Sequence, residues 1–309
     1  MSGDRAVRRF PSELLLQWYA RHGRRHLPWR TTRDPYRIVV SELMLQQTQV
    51  ERVIPLYAAF VERFGSFEAL AAADAADVVR AWRGLGYNGR AMRLHALARA
   101  VVERHAGALP SATEALLALP GIGPYTAAAV RAFAFELDDA AADVNLRRVV
   151  HRVELGVEHP PRAGERDLDT LAIAAVPAGL AHDWNSAMMD LGATLCTARA
   201  PKCLVCPLRD ACAAAPIDPA QLAVRARRNA PRKAPQNDLP FERTNRFLRG
   251  RIIDRLRDVP ARETIGLEAL RADLMPVVPA DRLHEIPGVV EALVRDGIVT
   301  RIATAIRLS

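Results

Sequence analysis

An acidic surface, a long apolar run and scattered cysteines are all missing from this chain of 309 residues. Its 43 Lys and Arg exceed 35 Asp and Glu, a net charge of +8 at pH 7, which points toward a polyanionic partner such as nucleic acid. No apolar stretch reaches the roughly 18 residues that span a bilayer; the runs at 69–76 and 126–135 are broken by Asp74 and Arg131. The first nine residues are polar and basic with no long apolar segment after them, so neither a secretory leader nor an anchor is expected, and the reading is a cytoplasmic protein. Strand-like alternation is nearly absent from residues 11–215. With half of its residues hydrophobic and a quarter charged, the chain holds enough apolar material for one large or two modest cores, which excludes wholesale disorder.

What is there reads as helix. Leu14, Leu15, Trp18 and Tyr19, and again Leu94, Leu97, Ala98 and Val101, follow the i, i+3, i+4 spacing of an amphipathic helix. Ser111 precedes Glu114 as a capping box, while Gly65, Gly107, Pro110, Pro120 and Pro177 mark helix boundaries. A compact all-α body follows. Between Asp218 and Asp238 no acidic residue occurs, but Arg225, Arg227, Arg228, Arg232 and Lys233 do, with Pro231 and Pro235 among them, and this segment reads as a linker. Beyond it come helical segments at 245–258, 267–274 and 289–296 and an alternating stretch at 298–308. Three helices and a terminal hairpin suggest a small winged-helix-like module, against the plainer reading of a structural appendage.

All four cysteines fall in one segment, Cys196, Cys203, Cys206 and Cys212, with C-x6-C-x2-C-x5-C spacing. A reducing compartment disfavours disulfides, so the segment reads as a metal or cluster site. Zinc and iron–sulfur remain; paired C-x2-C knuckles are commoner for zinc, whereas a single C-x2-C with wider arms fits the corners of a [4Fe-4S] cube. Arg199, Lys202 and Arg209 share the loop and would present cations to a phosphate backbone.

The run Leu119-Pro120-Gly121-Ile122-Gly123-Pro124-Tyr125-Thr126-Ala127 reads as a hairpin between two helices. Gly121 and Gly123 let the backbone approach another group closely, and the amides opening the next helix suit a phosphate. Such a contact positions DNA and carries no base information. Asp143-Val144-Asn145-Leu146-Arg147-Arg148-Val149 follows shortly after.

The hairpin, Asp143 and the four-cysteine loop together resemble the helix-hairpin-helix DNA glycosylase superfamily. The upstream runs Leu27-Pro28-Trp29-Arg30, Ser41-Glu42-Leu43-Met44-Leu45-Gln46-Gln47-Thr48-Gln49-Val50 and Gly84-Leu85-Gly86-Tyr87 resemble its A/G-specific adenine glycosylase branch, the MutY family. The likeness runs from about residue 14 to residue 212. It implies two helical subdomains: residues 1–33 with 142–215 carrying a [4Fe-4S] cluster on Cys196, Cys203, Cys206 and Cys212, and residues 34–141 carrying the hairpin. Residues 216–240 would then be a basic linker and 241–309 the winged-helix-like module.

Cleaving the bond between adenine and its sugar needs a proton on the base and an anion beside the cationic sugar. The resemblance implies Glu42 as the acid and Asp143 as the anion. Val39, Val40, Leu43 and Leu45 around Glu42 would desolvate it enough to hold a proton, and Asp143 would also cap a helix. The endonuclease III branch carries a nucleophilic Lys where this chain has Tyr125, so a monofunctional enzyme is implied, with Tyr125 lining the pocket. Gln47, Thr48 and Tyr87 match positions that enter the duplex around the lesion, and Trp29 and Arg30 match pocket walls.

Two departures stand out. The chain lacks the Nudix-like domain and Phe-Ser-His loop through which bacterial relatives recognise 8-oxoguanine, and Ser186 follows Asn185 where they carry Glu or Gln toward the adenine edge. The expected function is therefore a base excision repair glycosylase, a monomer on double-stranded DNA containing a mismatch or oxidised base, removing adenine opposite guanine or 8-oxoguanine. The alternatives are a thymine or uracil mismatch glycosylase on the same scaffold, or a non-enzymatic iron–sulfur DNA-binding protein.

Overall fold

In a computed structural model of the chain, residues 10–230 and 240–309 are described. The N-terminal residues 1–9 and the linker residues Pro231, Arg232, Lys233 and Pro235 lie outside them. The helices are α1 Ser12–His22, α2 Pro35–Leu45, α3 Val50–Arg63, α4 Phe67–Ala72, α5 Ala75–Ala81, α6 Gly89–His105, α7 Thr113–Leu117, α8 Pro124–Ala134, α9 Val144–Glu154, α10 Glu165–Ala175, α11 Ala181–Thr194, α12 Pro219–Arg228, α13 Asn245–Arg257, α14 Leu267–Leu274 and α15 Ile286–Arg295. Three short strands, β1 Ile265–Gly266, β2 Val299–Ile302 and β3 Ala305–Leu308, form an antiparallel sheet in the order β1-β3-β2. The fold is the expected all-α body with a small mixed C-terminal module. No described helix is long and apolar enough to cross a membrane.

The chain divides into two compact units. The first comprises the described residues of 1–39, 111–117 and 122–234. Its core forms because α9 repeats apolar residues at helical spacing: Leu146, Val149, Val150 and Val153 are buried with Trp184, Met188 and Leu191 of α11 and Leu168 and Ala172 of α10. α1 closes on α11 through Leu15 and Tyr19, and the Ser12 hydroxyl ties two elements, donating to the Ala175 carbonyl at 2.7 Å and accepting from Trp184 Nε1 at 3.0 Å.

The second unit comprises residues 40–110, 118–121 and the described residues of 235–309. Ser66 caps α4 by accepting the Ala69 amide at 3.2 Å, and α4 packs on α6. The C-terminal module shares this unit's core: Leu248, Ile252, Ile253 and Leu256 of α13 are buried with Val79 of α5, and Met92 of α6 packs against them. Arg257 secures the join, donating from Nε to the Val79 carbonyl at 3.1 Å and from Nη2 to Asn88 Oδ1 at 2.7 Å.

Three readings differ from the sequence expectation. α7 starts at Thr113, so Ser111 stands outside the capping position, and its carbonyl accepts Arg131 Nη1 at 2.5 Å. Residues 219–228 of the expected linker are helical: Asp218 accepts the Ala220 amide at 2.8 Å, Pro219 opens the helix, and Leu222 is buried against Ala214 and Ile217. The helices flanking the hairpin fall with the cysteine segment instead of with residues 40–110, because α8 packs on α11 and Phe133 meets the His182 ring edge-on at 5.5 Å.

Candidate active site

In the first unit, Asp143 is the N-cap of α9. Its Oδ1 accepts the amides of Asn145 and Leu146 at 2.9 and 2.7 Å, and its Oδ2 accepts Asn145 Nδ2 at 2.8 Å. The carboxylate is thereby fixed at the positive end of the helix dipole. The strand of contacts continues inward: Asn145 Oδ1 accepts Arg148 Nη2 at 3.0 Å, and Arg148 donates to the carbonyls of Gly192 and Cys196 at 2.8 and 2.9 Å. Gly192 leaves room there, since a Cβ on it would lie a tight 3.0 Å from Asn145 Cβ.

The loop that delivers Asp143 is held from behind by Asn185, which is fully buried. Its Oδ1 accepts the Ala141 amide at 2.7 Å and its Nδ2 donates to the carbonyls of Asp139 and Ala181, both at 2.8 Å. Ser186 is also fully buried, and its Oγ has no hydrogen-bond partner among the described residues. The position matched to the adenine-edge contact, Ser186, is thus interior. Tyr125 is the second residue of α8 and half-buried, and Gly123, extended, caps that helix ahead of Pro124.

Trp29 is buried, and Arg30, expected on a pocket wall, has its charge taken up inside the unit. Its Nη1 and Nη2 reach Asp190 at 2.7 and 3.0 Å, Nη2 also donates to the Ser186 carbonyl, and Arg24 completes the pairing at 2.8 Å. Burial alone would raise the Asp190 pKa; the hydrogen bonds and charges of Arg30 and Arg24 outweigh it and hold the carboxyl below its ordinary value. A lowered folded pKa means that Asp190 contributes stability above the unfolded carboxylate pKa of about 3.9 and loses it as pH falls through the folded value. Unfolding midpoints measured from pH 7 to pH 2.5 should therefore fall more steeply below about pH 4 in the wild type than in Asp190→Asn; parallel curves would refute this assignment.

The four cysteines ring a small cavity in the first unit with Val149, Leu191 and Leu208. Arg152, fully buried and paired with Glu158 at 2.5 Å, lies 3.5 Å from Cys196 Sγ through Nη1. Among the described residues no three His, Cys, Asp or Glu side chains close around one point as a single ion requires. Burial, reinforced by the other three thiols, pushes the Cys206 thiol up to about 11. Arg199, Lys202 and Arg209 are exposed on this loop, beside exposed Leu204 and Val205.

In the second unit, Glu42 lies on α2 and is 6% exposed among Val40, Leu43 and Met44, which are buried outright. Just beyond, Gln47 adopts φ +55° and Tyr87 adopts φ +45°, a left-handed conformation unusual for either residue, and both side chains are exposed. Sequence reasoning missed what holds these two turns. Arg90, 2% exposed, donates from Nη1 to the carbonyls of Leu43, Met44 and Gln46 at 2.8, 2.9 and 2.5 Å, and from Nη2 to Thr48 Oγ1, Leu85 O and Gly86 O at 3.1, 3.0 and 3.1 Å. Burial first, then the nearby charges of Arg93 and Arg246, bring its pKa down to about 10. Gly121, with φ +81°, lets the chain cross α6, where a Cβ would stand 3.1 Å from Arg93 Cβ.

Residues 40–172 match the HhH-GPD superfamily of base excision DNA repair proteins. The chain is 42% identical over 246 residues to an adenine DNA glycosylase of Mycolicibacterium smegmatis, covering 79% of each protein. It is 38% identical over 295 residues to one of Mycobacterium tuberculosis, covering 89% of this chain and 92% of that protein. Among solved structures, a thermostable thymine-DNA glycosylase superposes with a TM-score of 0.61 at 34% identity, covering 65% of this chain and 93% of that one.

Proposed function

This chain belongs to the adenine DNA glycosylase family of the HhH-GPD superfamily, a family of base excision repair enzymes, and we propose that it releases adenine from mismatched duplex DNA by hydrolysis, with Glu42 and Asp143 as its two working carboxyls. What carries the reading is the setting of those groups. Glu42 is buried, the setting in which a carboxyl can serve as a general acid, and Asp143 is fixed by three hydrogen bonds at the positive end of a helix dipole. Glu42 gives its proton to a ring nitrogen of adenine as the bond from the sugar carbon breaks, and the bonding electrons leave with the base. The Asp143 carboxylate stabilises the cationic sugar until water adds to it, leaving an abasic site.

Gln47, Thr48 and Tyr87 would fill the space left by the extruded base, held in place by Arg90. Gly121, Gly123 and the α8 amides would hold a phosphate, with Tyr125 beside the pocket. The chain has two lysines, Lys202 and Lys233, and neither stands at the hairpin, which supports hydrolysis without a Schiff base. Duplexes with A opposite G, A opposite 8-oxoguanine and T opposite G, incubated with the protein and then treated with alkali, test the reading. Strand breaks at A that need the alkali support it; breaks at T alone would move the assignment to a thymine glycosylase. The ratio of the two A substrates reports how far 8-oxoguanine is recognised.

Cys196, Cys203, Cys206 and Cys212 would hold a [4Fe-4S] cluster, one thiolate for each iron. Their arrangement around a cavity and the adjacent guanidinium of Arg152 support this reading. When bound, the cluster would cross-link the loop that presents Arg199, Lys202 and Arg209 to DNA. Cys203→Ser should lose most of its iron and visible absorbance and bind duplex at least about tenfold more weakly; full iron content in that variant would overturn the ligand assignment.

A further inference from the structure

We infer that the cleft between residues 84–93 and α13 is a binding groove for a DNA strand, so that the C-terminal module takes part in DNA binding; this rests on the reading above that DNA is the substrate. The cleft holds about 640 Å³ and lies within the second unit. Six arginines line it against one carboxylate, Asp254. Three of the six are engaged in ion pairs, with two carboxylates between them: Arg249 pairs with Asp296 at 2.5 Å, and Arg251 and Arg257 share Asp254 at 2.9 and 2.8 Å. Arg52, Arg93 and Arg246 are exposed and enter no ion pair among the described residues.

Charge alone would fit any polyanion. The aromatic surfaces narrow the choice. Arg246 lies 4.1 Å from the centroid of the Tyr87 ring and 6.0 Å from that of Phe241, and the two rings are 41% and 55% exposed. Guanidiniums without carboxylates, set beside partly exposed aromatic rings, match the two parts of a nucleic-acid strand, phosphate and base. An acidic peptide would use the first and leave the second in water.

The backbone is also clear for a close approach. Gly250 sits inside α13, where glycine disfavours the helix, and a Cβ on it would meet nothing within 4 Å. Gly86 is equally open on the opposite wall.

The test is binding of a labelled duplex with an A·G mismatch by the full-length protein across a salt series. Arg52→Gln/Arg246→Gln should weaken binding about tenfold or more at 0.1 M salt and reduce the slope of log affinity against log salt by about 2. Arg255→Gln, whose side chain pairs with Asp273 outside the cleft, removes one charge elsewhere and should move the slope by less than about half a unit. Gly250→Leu fills the groove from a site that favours a side chain, so it should fold at least as well while losing affinity. Equal slopes for the double variant and Arg255→Gln, or full affinity in Gly250→Leu, would overturn the inference. Alkali-revealed base release by the wild type on the same duplex separates the two readings: release with groove variants that bind normally defeats this inference alone, and groove-dependent binding without release defeats the functional reading alone.

Discussion

Glu42→Gln releases adenine at least about a thousandfold more slowly than the wild type in single-turnover assays, while its thermal midpoint and duplex affinity stay close to normal. The substitution keeps the shape of a side chain that is 6% exposed and removes its ability to give up a proton. General acid catalysis is worth about a hundred- to ten-thousandfold, and here it acts on a leaving group that departs poorly as an anion. Asp143→Asn should cost a comparable factor through the other half of the mechanism, since it removes the anion facing the sugar cation. Its side effects differ. Asn is a good N-cap and its Oδ1 can still accept the amides of Asn145 and Leu146, but its Nδ2 would face the Asn145 amide, donor against donor. A small loss of midpoint is therefore expected for Asp143→Asn and none for Glu42→Gln. If Glu42→Gln kept more than about a tenth of the wild-type rate, another group would have to supply the proton.

The helices were legible in the sequence because their apolar residues repeat at helical spacing, and the segment 267–274 matches α14 at both ends. The cysteine loop and hairpin announced themselves by spacing. What stayed hidden was polar residues whose partners are carbonyls and amides distant in sequence. Arg90 sits among Ala91, Leu94 and Leu97 of a basic helix and resembles any surface arginine until the carbonyls 46 and 47 residues earlier close around it. Asn185 gave no sign of its role, because its three hydrogen bonds go to the loop before Asp143 and to its own helix. α12 was masked by composition: its basic, proline-flanked run looks like a solvated linker, and only the burial of Leu222 anchors it. Backbone partners carry no side-chain signature, so no pattern of residue types could have located these contacts.

Arg90→Met should be the most damaging single change outside the carboxyls. The guanidinium makes six hydrogen bonds to two turns, and five of its acceptors are backbone carbonyls. Met has similar length and no donor. An unsatisfied buried polar group costs about 1–3 kcal/mol, and several would be exposed at once, so a loss of about 4 kcal/mol or more is expected, equivalent to a midpoint lower by roughly 8–16 °C at this chain size. The functional loss should exceed what the stability loss explains. Without Arg90 the hydrogen bonds that link the carbonyls of Leu43 and Gln46 to those of Leu85 and Gly86 are lost, and the left-handed turns at Gln47 and Tyr87 can relax toward the ordinary backbone conformations they now avoid. Assays run well below the reduced midpoint, with the variant still folded by circular dichroism, should show both weaker duplex binding and slower release. Arg90→Lys discriminates further: one ammonium keeps the charge but cannot span two sets of carbonyls, so stability should recover in part and base release much less. Were Arg90→Met to melt within 2 °C of the wild type and turn over normally, the turns would have to be held by their own chain, and Arg90 would be a passenger in the fold.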